Sequence, residues 1–142
     1  MVFYAQKVFN TTYTLYEVMK ILLIDDNKDI TEMFSKYLKL NDHECHTSND
    51  GRNGLNMIEN QKYDVVLLDL AMPNFSGIDV IHALTEKNKI RNQKIIIFTA
   101  SSKPNNDLDE LIQMGVHSCL TKPMDPDELI SYLENLEVKN IE

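Results

Sequence analysis

The sequence predicts a doubly wound α/β domain, with five parallel strands in the order 2-1-3-4-5 and helices on both faces of the sheet. Three observations lead there. From Lys20 onward, short apolar runs alternate with segments whose apolar residues recur at helical spacing, as repeated βα units require. Runs such as Val65-Val66-Leu67-Leu68 are continuous rather than alternating, which suits strands buried on both faces. Polar residues follow these runs at once, and in an open α/β sheet that is where ligands bind.

The elements follow in order. Lys20 to Ile24 (KILLI) is the first strand, and Ile30, Met33, Phe34, Tyr37 and Leu38 mark one face of the first helix. His43 to Ser48 reads as a weaker second strand, and the turn signal Asn49-Asp50-Gly51 introduces a helix around Leu55 and Ile58. Val65 to Leu68 is the third strand, before a helix carrying Ile78, Ile81 and Leu84. Ile95 to Phe98 is the fourth; a polar loop and a helix with Leu108, Leu111 and Ile112 come next, with Gly115 as its C-cap. The fifth strand lies near His117 to Thr121 and ends at Lys122-Pro123. The last helix has Asp125 as N-cap, Pro126 at its first position, Glu128 three after the cap, and Leu129, Tyr132, Leu133 and Leu136 on one face.

Composition limits the function classes. At 142 residues and 43% hydrophobic content, one compact core is expected. A net charge of -8, from 22 acidic against 14 basic residues, disfavours a general binder of nucleic acid or anionic membrane, although a small basic patch is compatible with it. No apolar run approaches the ~20 residues of a membrane-spanning helix, and a secretory leader is not visible, so a cytoplasmic location without membrane insertion is expected. Residues 1–18 form an aromatic-rich extension, expected to be disordered or to reflect an upstream start, with docking on the domain or on a partner as the alternative. Residues 19–138 form the domain and 139–142 a C-terminal tail.

The strand ends deliver a specific set of groups. Asp25 and Asp26 follow the first strand, Asp69 the third, Thr99 the fourth and Lys122 the fifth. In the 2-1-3-4-5 order the first and third strands are neighbours where the order reverses, so three carboxylates share one crevice. Crowded carboxylates need compensation, and hard oxygen ligands suit Mg²⁺, which takes one or two carboxylates, waters and a phosphate oxygen. With a lysine opposite, the metal would neutralise charge on a phosphoryl group, while a carboxylate in line could act as nucleophile. Taken singly, Asp25 or Asp26 could be a helix cap, Thr99 a β-former and Lys122-Pro123 a loop. Acid pair, acid, hydroxyl and lysine at four strand ends, in that order, is hard to obtain by chance.

The motifs ILLIDDN, VVLLDLAMPNFSG, IIIFTAS and CLTKP, spread over residues 19 to about 138, resemble those of response-regulator receiver domains of two-component signalling. The resemblance implies the flavodoxin-like receiver fold. It implies Asp69 as phosphoacceptor, taking a phosphoryl group from the phosphohistidine of a sensor histidine kinase or a phosphotransfer protein. Mg²⁺, with Mn²⁺ able to substitute, would be held by Asp25, Asp26, Asp69 and the backbone carbonyl of Ala71. Lys122, the Thr99 hydroxyl and the Ala100 N–H would contact the phosphoryl group, and Pro73 and Gly77 would shape the loop. Output would be a conformational change read by a downstream protein target, with no turnover chemistry beyond self-phosphorylation and slow autodephosphorylation. Since only a short tail follows the last helix, a stand-alone regulator resembling the chemotaxis type is expected, its oligomeric state open.

Two positions depart from the family pattern. Cys119 stands where receivers usually carry a Tyr, Phe or His that swings inward with the threonine. Ala71 and Ser101, each two residues beyond a site residue, lie where side chains can shield the acyl phosphate, so its lifetime is expected to differ from that in receivers with bulky residues there. Ala71 also weighs against the rival reading as a haloacid-dehalogenase-type phosphatase, which needs a second acid at that position. The other rival is a pseudo-receiver that binds partners without being phosphorylated. Cys45 and Cys119 fall on opposite edge strands, too far apart for the ~7 Å Cα limit of a disulfide, so two free thiols are expected. Alternation along the strand parts His43 and Cys45 from His46, which disfavours zinc. His82 and His117 read as surface or loop residues.

Overall fold

The computed structural model describes residues 3–9, 12–100 and 105–138. Its strands are β1 (Tyr4–Phe9), β2 (Thr12–Glu17), β3 (Lys20–Ile24), β4 (Glu44–Ser48), β5 (Val65–Leu68), β6 (Lys94–Thr99) and β7 (Ser118–Thr121). Its helices are α1 (Lys28–Leu40), α2 (Gly51–Asn60), α3 (Gly77–Glu86), α4 (Asn105–Met114) and α5 (Pro126–Val138). The main sheet runs β4-β3-β5-β6-β7, with every pairing parallel. Numbered from β3, that is the 2-1-3-4-5 order.

Strand alternation divides the core into two layers. Leu22, Ile24, Val66, Leu68, Ile95 and Ile97 pack on the face covered by Ile58 of α2, Val80, Ile81 and Leu84 of α3 and Leu111 of α4. Their neighbours Ile21, Leu23, Val65, Leu67, Ile96 and Phe98 face Phe34 and Leu38 of α1 and Leu129, Ile130 and Leu133 of α5. The continuous apolar runs thus reflect burial on both faces. Each such side chain contributes roughly 1.5–3 kcal/mol relative to exposure.

Local chemistry sets the helix ends. Asn27 caps α1 by accepting from the backbone N–H groups of Asp29 and Ile30, and Asp125 accepts at 3.4 Å from the Asp127 N–H ahead of α5. Gly115 ends α4 at φ +126°, a conformation that side chains disfavour, and its N–H donates to the Ile112 carbonyl at 3.0 Å.

Within the extension expected at residues 1–18, the described residues form strands β1 and β2. β1 and β2 pair as an antiparallel hairpin, from Tyr4 opposite Glu17 to Phe9 opposite Thr12. Alternation turns Ala5, Lys7 and Tyr16 towards the domain and leaves Tyr4, Val8 and Leu15 exposed. Tyr16 is 5% exposed; its hydroxyl donates to Asp42 Oδ2 at 2.9 Å, with the Asn41 carbonyl at 3.1 Å. Burial, then the Asp42 hydrogen bond, raise the Tyr16 phenol far above its usual range. Lys7 Nζ reaches both oxygens of Glu134 on α5, at 2.9 and 3.1 Å.

Glu134 also receives buried His43, whose Nε2 lies 3.1 Å from Oε2. His43 Nδ1 accepts from the Met19 N–H at 3.1 Å, so Nε2 carries the proton towards Glu134. Cys45, two residues on, sits in the apolar layer, while His46 turns the other way to meet the Tyr63 hydroxyl at 2.8 Å. The cysteines are free, on the β4 and β7 edges of the sheet.

Candidate functional site

The crevice lies at the carboxyl ends of β3, β5, β6 and β7. Asp25 leaves β3 with its N–H donated to the Ser48 carbonyl at 3.0 Å, and Asp69 leaves β5 with its N–H on the Ile24 carbonyl at the same distance. These extensions of the ladder hold both carboxylates on rigid strand ends. Asp25 is 2% and Asp69 7% exposed, whereas Asp26 is open to solvent. One carboxylate oxygen from each of the three lies within 4.8 Å of the others.

Asp25 is the most heavily engaged. Its Oδ1 accepts from the Asn27 N–H at 2.9 Å and its Oδ2 takes the Lys122 ammonium in an ion pair. The Asn49 side chain donates to the Asp25 carbonyl at 2.8 Å and to Thr31 Oγ1 at 3.0 Å, bracing the loop from beneath. Lys122 is aimed from the end of β7, where its N–H donates to the Thr99 carbonyl at 2.9 Å, and its ammonium lies 5.3 Å from the Phe98 ring centre.

Asp69 is tuned by opposing influences. Burial raises its carboxyl, Lys122 pulls it down, the charge of Asp25 raises it again, and hydrogen bonds from the Thr99 hydroxyl and the Ala71 N–H lower it. The net direction is upward. The Ala71 N–H sits 3.4 Å from Asp69 Oδ1.

The loop beyond Asp69 is shaped by close backbone packing. A Cβ on Gly77 would stand 2.3 Å from the Asp69 carbonyl oxygen, so only glycine lets α3 begin there; its N–H donates to the Leu70 carbonyl at 3.1 Å. Pro73 accepts from the Phe75 N–H at 2.7 Å around Asn74, which has φ 66°. Ser76 then caps α3 in a reciprocal box with Asp79.

Asp25, Asp26, Asp69, Thr99 and Lys122 are therefore brought together as the strand ends implied. Ala71 and Ala100 lie exposed beside them, and Cys119 is half-buried against the α2–α4 layer rather than in the crevice. Ser101 lies outside the described residues. Sequence reasoning missed Asn27 and Asn49 as supports of Asp25, although Asn49 was already visible as part of a turn signal. It missed the Ser76–Asp79 box too, whose Ser-x-x-Asp spacing was available.

Three carboxylates facing one lysine, all offering hard oxygen donors, fit a divalent cation of the Mg²⁺ type. The 2-1-3-4-5 sheet with this crevice at its reversal defines the flavodoxin-like α/β class of domain. More narrowly, the chain belongs to the response regulator receiver domain family, whose family model matches residues 21–134. The hairpin lies outside that match.

Among curated proteins, the chain is 34% identical over 117 residues to a homologue of the transcriptional regulatory protein CpxR from Haemophilus influenzae, covering 81% of this chain and 48% of that protein. It is 31% identical over 114 residues to the phosphate regulon regulator PhoB of Pseudomonas aeruginosa, covering 80% of this chain and 49% of that one. The chain thus spans about half the length of these relatives. Among solved structures, a Francisella response-regulator receiver domain matches at TM-score 0.75 and 30% identity, covering 86% of this chain and 98% of that one. The Vibrio cholerae chemotaxis protein CheY4 matches at 0.73 and 27%, covering 83% and 98%. The Thermotoga maritima response regulator TrrA, solved in complex with Mg²⁺ and BeF, matches at 0.68 and 30%, covering 82% and 97%. No described helix is long and apolar enough to cross a membrane.

Proposed function

We propose that this receiver unit accepts a phosphoryl group on Asp69 from the phosphohistidine of a sensor histidine kinase or phosphotransfer protein, and signals by changing shape for a protein partner. The observation that carries this reading is the convergence of Asp25, Asp26, Thr99 and Lys122 around Asp69. In the transfer, a carboxylate oxygen of Asp69 attacks phosphorus, the P–N bond to imidazole breaks, and the leaving imidazole takes up a proton. The acceptor must be ionised to attack, and Lys122 and Thr99 favour that form against the cost of burial.

Asp25, Asp26, Asp69 and the Ala71 carbonyl are the groups that would hold Mg²⁺, with Mn²⁺ able to substitute; the ion supplies charge neutralisation for the phosphoryl oxygens. Lys122 would exchange its contact with Asp25 for a phosphoryl oxygen. The Thr99 hydroxyl and Ala100 N–H would close on the others. Cys119, in place of an aromatic ring, offers no ring to swing inward with Thr99. The resulting signal is a population shift. Ala71 offers no general acid for turnover, in keeping with a phosphoacceptor rather than a phosphatase.

The test is phosphotransfer from kinases and from acetyl phosphate, with Mg²⁺ and with EDTA, on the parent chain and Asp69→Asn. Labelling that needs the metal and disappears in the variant is expected. Undiminished labelling of Asp69→Asn would remove the acceptor assignment, and no labelling from any donor would favour the pseudo-receiver reading.

A further inference from the structure

The pole opposite the crevice, at the amino ends of the strands, carries the opposite charge. Two adjoining clefts of about 520 and 360 Å³ lie between the turn after α2 and the loop after α3, and share Lys62, Asn92 and Gln93. Their walls carry four cations, Lys62, Lys89, Arg91 and Lys94. Of the two acids in the same walls, Glu59 is paired with a lysine and Asp64 only with a backbone N–H, so the cations remain in excess. Glu59 holds Lys87 at 2.7 Å, and Asp64 Oδ2 accepts the Lys20 N–H at 2.7 Å.

The segment 87–94, KNKIRNQK, has four basic residues and no acid in a chain of net charge -8. Complementing the helix dipoles accounts for at most Lys87, the C-cap of α3, because neither α2 nor α3 has a basic residue in its last turn. Among the described residues, the side chains of Gln61, Lys62 and Asn92 make no hydrogen bond or ion pair.

We propose that this groove binds an acidic stretch of a partner polypeptide, its carboxylates meeting Lys62, Lys89, Arg91 and Lys94 and its backbone meeting the carboxamides of Gln61 and Asn92. The cations are strung along two clefts rather than converging on one point, which suits an extended chain better than a single small anion. Nucleic acid fits less well, because Tyr63, the aromatic residue of the lining, is 2% exposed and offers bases no face to stack on. At physiological salt, charges beyond about 8 Å are screened, so the local cations outweigh the distant acids. The strands, four and six residues long at roughly 3.3 Å each, place the groove roughly 15–20 Å from Asp69. Binding there leaves the crevice open and does not depend on phosphorylation.

The experiment is fluorescence anisotropy with a labelled peptide of alternating Glu and Ser, at low and high salt, on the full chain. Binding at low salt is expected to weaken with added salt, and to weaken about threefold to tenfold in a Lys62→Gln/Lys89→Gln double variant, as expected for two exposed ion pairs. Lys36→Gln/Lys39→Gln, on α1, and Asp69→Asn should bind as the parent does. The proposal is overturned by absence of binding at low salt, by a double variant indistinguishable from the parent, or by a single-stranded oligonucleotide binding more tightly through the same lysines. Self-association of the chain that the Lys62→Gln/Lys89→Gln double variant loses would likewise overturn it, by making a second copy the occupant.

Discussion

The five-stranded sheet and the hairpin that precedes it are built on different physics. Strands β3, β5 and β6 are sealed between two apolar layers, with Leu22, Val65, Leu67 and Ile96 at 0% exposure. The hairpin leaves Val8 and Leu15 more than 60% exposed and holds on through Tyr16 and the Lys7–Glu134 pair. Apolar burial is cooperative and dominates stability, whereas a few polar contacts on a surface fix position at modest energy. The sheet should therefore fail as a unit, and the hairpin should loosen without it.

The largest effect is expected from cutting the core. Leu67→Ala removes a fully buried side chain from the α1–α5 layer and should cost about 2–5 kcal/mol in urea unfolding. A loss near that of a surface substitution would mean the sheet is not sealed as described. Gly77→Ala comes next, because its Cβ would press on the Asp69 carbonyl; a loss of about 1–3 kcal/mol is expected, with a lower yield of phosphorylated protein.

The hairpin should respond more weakly. Tyr16→Phe keeps the ring and deletes the bonds to Asp42 and Asn41, costing about 0.5–1.5 kcal/mol, while labelling at the crevice stays at the parental level. Matching losses of stability and labelling would erase the distinction between the two regions.

The smallest effect is a pH dependence at Glu134. Burial alone would raise this carboxyl, but hydrogen bonds from His43 and Lys7, together with the Lys7 charge, hold it below the ordinary 4.5. A carboxyl lowered on folding stabilises the fold above the unfolded value and loses that contribution as pH falls through the folded one. The stability gap between the parent and Glu134→Gln should therefore be full near neutrality and close below about pH 4.5. A gap that persists in acid would show that the carboxylate charge is not what matters there.

The sheet and its crevice were legible because their signals are local. ILLI and VVLL are continuous apolar runs that only double burial explains, and each is followed at once by a residue of the site, Asp25 or Asp69. The hairpin was not, because Tyr16 finds Asp42 and Lys7 finds Glu134 across separations of 26 and 127 residues. Nor does YAQKVF show more than short alternation, which reads equally well as an unpaired tail. The Lys122–Asp25 pair and the Asn49 brace were hidden for the same reason: their spacing along the chain, 97 and 24 residues, carries no period. Gly77 could be placed in the loop from sequence, but the reason for glycine, its contact with the Asp69 backbone, belongs to three dimensions.

Locating the phosphoryl group tests the central claim most directly. After labelling with acetyl phosphate and Mg²⁺, reduction with borohydride converts an aspartyl phosphate to homoserine, which peptide mass mapping assigns to a position. Homoserine at position 69, with Asp25 and Asp26 unchanged, is the expected result. Homoserine at either of those residues, or label on a histidine, would contradict it.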